Sequence, residues 1–248
     1  MRKPTWQLLA LTVILYLVSC TKEEPAKEFP PIQKKAAMIT DDELGSRGVK
    51  WPQNHNIKIA FINGTKEQQE FVKKYAAIWD ELTNLSFVYQ DSVPGSEIRI
   101  SFDPKQKTGA SYVGYKDNIG QKGTTMWFWE PLGKDGETRK PLAWQIGTVR
   151  HEFGHMLGLV HEHLRSDSDI KWADSTKRKG ETGIIGPASL AKYLKTPYDR
   201  TSIMHYSVYS SDALDGTSFG PYPLGGELSQ MDKDFIQRVY PNASQERN

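Results

Sequence analysis

The stretch VRHEFGHMLGLVHEHLRSD, Val149–Asp167, holds four of the chain's six histidines within thirteen positions. The apolar spacing from about Trp144 predicts a helix, and on it His151 and His155 stand four residues apart. At 3.6 residues per turn that separation rotates a side chain by only about forty degrees, so both rings leave one face and can share a metal ion. Glu152 lies one residue on, near enough to reach a water on such an ion. His161 does not fit a continuous helix. Ten residues beyond His151, it would point about eighty degrees away. It can join the same ion only if the chain stops and doubles back. Gly158 supplies the stop, because glycine adopts a positive φ at a helix C-terminus without steric cost. The alternative is an amphipathic core helix whose histidines are incidental.

Hydrophobic patterning places the rest. Asn56–Ile62 alternates and reads as a strand, and Thr65–Thr83 reads as a helix with Thr65 as its N-cap. Leu85–Gln90 and Glu97–Phe102 read as strands joined by the turn VPGS. Ser111–Tyr115 and Thr124–Trp129 add two short strand expectations, and Gln230–Tyr240 reads as a closing helix. Between Arg165 and that helix the chain looks largely irregular. A strand-rich first half, two long helices and an irregular second half predict an α+β domain split by a cleft. The strand Thr124–Trp129 is the expected cleft edge, where a peptide could add through backbone hydrogen bonds. Its aromatics could equally be core.

The histidine segment spells HExxHxxGxxH, and its first five positions match a zinc-hydrolase pattern in which the glutamate is the general base. The full spacing resembles the metzincin signature. Glu162, Arg165, Asp167 and Asp169 resemble the HExxRxDRD extension of the astacin family, with Ser168 in place of the usual arginine. SIMHY, Ser202–Tyr206, resembles that family's Met-turn, and LSQMDKDFIQRVY, Leu228–Tyr240, resembles its LSxxDxxxIxxxY end segment. The resemblance runs from about Ala36 to Asn242. It implies a metzincin fold: a twisted N-terminal sheet with two long helices above an irregular C-terminal subdomain, and the active-site cleft between them.

It also implies roles. His151, His155 and His161 bind one zinc per chain as neutral imidazoles. Glu152 takes a proton from the zinc-bound water and passes it to the leaving amine. Met204 lies beneath the site as an apolar floor. Tyr206 matches an extra zinc ligand that swings away on substrate binding and donates a hydrogen bond to the oxyanion. His163 and His205 match no ligand role and read as supporting or surface histidines; His55 reads as exposed. The resemblance is to a minimal bacterial member, since the catalytic region has no cysteine and no interaction module follows.

Met1–Ser19 carries Arg2 and Lys3 ahead of an apolar run, Trp6–Val18, too short for a comfortable span. The tetrad LVSC, Leu17–Cys20, resembles a lipobox, which implies lipid attachment at Cys20, the chain's one cysteine. An unacylated Cys20 thiolate is a rival, able to reach the zinc and silence a precursor. Residues 20–35 have linker composition, and residues 36–248 form the expected catalytic domain. Lys34–Leu44 resembles the start of mature astacins, which implies cleavage after Lys35 and docking of the new amino terminus on Glu162. The expected location is therefore the bacterial surface, by a lipid anchor, with release into the medium on cleavage.

The chain has 32 basic and 30 acidic residues, and Arg2 and Lys3 account for the excess. Nothing in that balance favours nucleic acid. The expected activity is a zinc endopeptidase acting, as a monomer, on protein or peptide substrates. The alternative is a catalytically inactive metzincin-fold surface lipoprotein serving as an adhesin; a third reading, HExxH chemistry on small molecules, fits SIMHY poorly. The loops that would set side-chain preference, roughly Trp172–Tyr198, carry no readable pattern.

Overall fold

A computed structural model describes residues 39–40, 50–134, 142–173, 193–218 and 226–242. The expected signal segment, Cys20, the linker and Lys35 lie outside them. Strand β1 (Ile39–Thr40) comes first, followed by β2 (Asn56–Phe61), whose Ile57 and Ile59 are fully buried while Asn56 and Lys58 face outward. Helix α1 (Lys66–Leu82) starts as expected at Thr65: its hydroxyl accepts the Gln68 N–H while the Gln68 side chain accepts the Thr65 N–H. Strands β3 (Ser86–Tyr89), β4 (Ile98–Asp103) and β5 (Gly109–Ser111) follow, then the short helix α2 (Gly114–Ile119) and strand β6 (Met126–Trp129). Helix α3 (Leu142–Met156) carries the histidines, a 3-10 turn spans Glu162–Leu164, and β7 (Tyr193–Leu194) and α4 (Gln230–Val239) complete the order.

The five-stranded sheet has the order β3-β2-β4-β6-β5, parallel except for β5, which runs antiparallel to β6 at the edge. One face presents Ile57, Ile59, Ile98, Ile100, Met126 and Phe128 to Val72, Ala76 and Trp79 of α1 and to Val149, Phe153 and Met156 of α3, forming one core. Two expectations change here. Ser111–Tyr115 is not a strand: β5 ends at Ser111, Gly114 turns the chain at φ +69°, and the Asn118 amide donates to the Tyr112 and Gly114 carbonyls, closing α2. The cleft edge is not the Thr124–Trp129 segment either. Its strand β6 is interior, and the edge is β5, a Gly-Ala-Ser run whose small side chains give no alternation to read.

Helix α3 ends where the glycine requires. Gly158 has φ +104°, its N–H donates to the His155 carbonyl at 2.8 Å, and the Leu159 N–H reaches back to the Gly154 carbonyl at 2.9 Å. These are the two bonds of a Schellman cap. Distant side chains take carbonyls in the same turn. The Trp51 indole N–H donates to the Met156 carbonyl at 2.8 Å, and the Tyr240 hydroxyl donates to the Leu157 carbonyl at 2.9 Å while accepting the Trp51 backbone N–H at 3.1 Å. Replacing Tyr240 by phenylalanine would leave a buried donor and a buried acceptor unmatched, a loss of about 2 kcal/mol in folding stability. Denaturant unfolding of Tyr240→Phe should show it as a lower midpoint at unchanged slope; an unchanged midpoint would mean that the clamp contributes nothing.

Candidate metal centre and active site

The reversal at Gly158 brings His161 back against the face of α3. The ligand nitrogens of His151, His155 and His161 all lie within 4.8 Å of one another, and the Nε2 atoms of His155 and His161 are 3.1 Å apart. Two nitrogens on one tetrahedral zinc stand about 3.3 Å apart, so the spacing suits that ion. Tautomers are set from behind. His151 Nδ1–H donates to the Ile203 carbonyl and His155 Nδ1–H to the Leu159 carbonyl, each at 2.8 Å, which leaves both Nε2 lone pairs for a metal. Burial, reinforced by the neighbouring rings, pushes His151 well below its ordinary pKa and His155 down to about 3, against the opposing pull of these carbonyls. These two rings are thus held neutral, as metal ligands must be. Among the described residues no other cluster of this kind occurs.

Glu152 is buried beside the trio, and its Oε2 has no hydrogen-bond partner among the described residues. Burial pushes its carboxyl well above the usual range. Its seat is shaped by the edge strand. A Cβ built on Gly109 would stand 2.5 Å from Glu152 Cγ and 2.6 Å from Oε1, so only glycine lets β5 lie this close. Gly154 does the same beneath the helix, where an added Cβ would meet Met204 Sδ at 2.6 Å. Met204 is buried in the core.

The turn containing Met204 is fixed from α4. Asp232 accepts the Ser202 hydroxyl at 2.7 Å and the Ile203 N–H at 2.8 Å while capping its own helix through Ser229. The Ile203 carbonyl then orients His151. A link therefore runs from the LSxxD segment to the first histidine, and Asp232 is a residue that sequence reading quoted without giving it a role. Its signal was available in the capping-box spacing, but its target was not.

Tyr206 lies against the trio, its ring centroid 4.3 Å from that of His161 and 5.3 Å from that of His151. Glu162 has a partner that was not expected. Oε1 accepts Arg165 Nη1 at 2.7 Å and the Asp199 N–H at 2.9 Å, and the guanidinium, itself fully buried, also grips Asp167. Burial nevertheless pushes Glu162 up to about 7. His163 and His205 are buried, which excludes the surface reading. His55 is half-buried, stacked on Trp51 and 2.8 Å from Glu97 Oε1, so its expected exposure is corrected.

Comparison with known proteins agrees with this geometry. The family model Astacin, which describes a peptidase family, matches residues 44–218. The chain is 26% identical over 228 residues to the astacin-like metalloendopeptidase of Gallus gallus, covering 79% of this chain and 47% of that protein. It is 27% identical over 211 residues to the low choriolytic enzyme of Oryzias latipes, covering 77% and 67%. Among solved structures, myroilysin superposes with a TM-score of 0.66 at 29% identity, covering 78% of this chain and 96% of that one. The chain spans about half the length of the chicken relative.

The closeness of β5 to Glu152 has a measurable consequence. With Glu152 as the expected general base, Gly109→Ala should push the carboxylate aside and lower peptide turnover at least about tenfold, since small displacements of such a group cost that much or more. Zinc content should stay at the wild-type level. Full turnover in Gly109→Ala would show that Glu152 tolerates the methyl group.

Proposed function

Because the chain belongs to the astacin family, whose metal is zinc, we propose that it is a zinc endopeptidase with Glu152 as general base. The observation that carries this is the convergence of three imidazoles on one point, with a buried carboxylate one residue after the first of them on the same helix. His151, His155 and His161 would hold the ion, which supplies Lewis acidity to a scissile carbonyl and acidifies water. Glu152 accepts the proton of the attacking water and delivers it to the departing amine. The raised proton affinity of the buried carboxyl matches that shuttle. Tyr206, beside the trio, donates its phenol hydrogen to the oxygen that becomes negative in the transition state. Among the described residues strand β5 pairs with a strand on one side only, so an extended substrate can add along its other edge through backbone hydrogen bonds.

The activation reading is also supported. In β1–β7 pairing Ile39 stands opposite Leu194, and Leu194, Lys195 and Thr196 line a cavity with Glu162, Asp199 and Asp232. Cleavage after Lys35 would leave three residues ahead of Ile39, a reach of about 10 Å. Three carboxylates, Glu162, Asp199 and Asp232, line that cavity with two cations, Arg165 and Lys195, so a new ammonium would still find a carboxylate partner there. Because Cys20 lies upstream of that bond, lipid attachment there would end at maturation.

Glu152→Gln should keep one zinc per chain and lose nearly all chelator-sensitive casein hydrolysis. Substantial activity in that variant would refute the base assignment, and a wild-type protein that binds zinc yet cleaves nothing would favour the adhesin alternative. N-terminal sequencing of active enzyme from culture medium should read Ala36 or a near neighbour. Fully active enzyme still joined to lipidated Cys20 would end the release proposal.

A further inference from the structure

Two buried histidines have no ligand role, yet both hydrogen-bond the peptide groups of one residue. His163, on the 3-10 turn, accepts the Tyr206 N–H at Nδ1 over 3.1 Å, and its ring stacks on the phenol ring with centroids 4.8 Å apart and planes 17° from parallel. His205 acts on the other peptide. Its Nδ1–H donates to the Tyr206 carbonyl at 2.6 Å, and its Nε2 takes the hydroxyl hydrogen of Tyr198 at 2.7 Å. The 3-10 turn is itself tied to the Met-turn by the Glu162 N–H, which donates to the Met204 carbonyl at 3.0 Å. Packing alone does not call for imidazoles here, since a phenyl ring would fill either space without bringing buried nitrogens that need partners. An imidazole offers a flat face and an in-plane acceptor or donor at once: His163 turns Nδ1 on Tyr206, and His205 turns Nδ1 on Tyr206 and Nε2 on Tyr198.

We propose that His163 and His205 are positioning residues for Tyr206: they clamp the two peptide groups that flank its Cα and give its ring a stacking seat, so that the phenol moves by side-chain rotation alone. This rests on the oxyanion role of Tyr206 given above. With N–H and carbonyl both held, the φ and ψ of Tyr206 have little freedom, and the arc of its hydroxyl is set by χ1 and χ2. A clamp of this kind fixes where the hydrogen-bond donor arrives without touching substrate or metal.

The test separates the two atoms of function in His163. His163→Phe keeps a stacking ring and removes the acceptor; His163→Asn keeps an acceptor near the Nδ1 position and removes the ring. These and His205→Phe are made in the wild-type chain and in Tyr206→Phe. The two phenylalanine substitutions should lower kcat about ten- to a hundredfold in the wild-type chain, the range expected when a catalytic group is slightly misplaced. KM should stay within about twofold, as for an interaction made mainly in the transition state. Zinc per chain should not change. In Tyr206→Phe the same substitutions should cost nothing further, because their effect passes through the missing hydroxyl. Hydrogen exchange of the Tyr206 amide in the metal-free protein supplies a readout without turnover: it should speed up in His163→Phe and return toward wild type in His163→Asn. Should His163→Phe fail to fold, His163→Asn and His205→Phe carry the same cycle. Equal losses in both backgrounds would make the histidines merely structural and overturn the clamp, as would unaltered amide exchange in His163→Phe. A large loss in Tyr206→Phe alone, with wild-type kcat in every histidine variant, would overturn the clamp and leave the role of Tyr206 standing. Wild-type kcat in Tyr206→Phe would instead remove that role, and the catalytic purpose of the clamp with it.

Discussion

The site depends on the chain reversal at Gly158. A side chain at φ +104° would be strained, so the residue that ends α3 must be one without a Cβ. The reversal does more than return His161. It places the Leu159 carbonyl where it fixes the tautomer of His155, so one turn delivers the third imidazole and orients the second. Carbonyls in that turn are held by Trp51 and Tyr240, residues from opposite ends of the described chain. The metal centre is thereby anchored to the core rather than carried on a free loop, which favours the pre-set geometry that catalysis needs.

Around this turn the buried charges form a connected support. Asp232 uses its carboxylate twice, once to cap α4 and once to hold the turn beneath His151. Arg165 joins Glu162 and Asp167 and also donates to the Thr196 carbonyl. Burying such groups is costly unless each lone pair and proton finds a partner, and here most do. The raised proton affinities of Glu152 and Glu162 have one leading cause, burial, but different settings. Glu152 lies where no described cation offsets the cost, while Glu162 is offset in part by the Arg165 guanidinium.

Much of the scaffold was legible because its signals are local. The capping box at Thr65 and Gln68, the alternation in Asn56–Phe61 and the glycine at position 158 each act within a few residues. The edge strand was not legible. Gly109–Ser111 has neither bulk nor alternation, and it is a strand because β6 offers it a partner and because Gly109 fits against Glu152. His55 likewise reads as a loop residue until Glu97, far along the chain, comes within 2.8 Å.

The amino-acid sequence by itself determined the candidate ligand trio, the break that lets three histidines meet, and the family to which the chain belongs. Helix periodicity and the φ preference of glycine are properties of short segments, so spacing alone expresses them. Only the tertiary structure decided that the Asp199 N–H meets Glu162, that Asp232 supports His151 through Ile203, and that His163 reaches Tyr206. Those contacts join segments tens of residues apart, and which donor meets which acceptor is settled by how the sheet, α3 and α4 pack, a matter on which no local pattern bears.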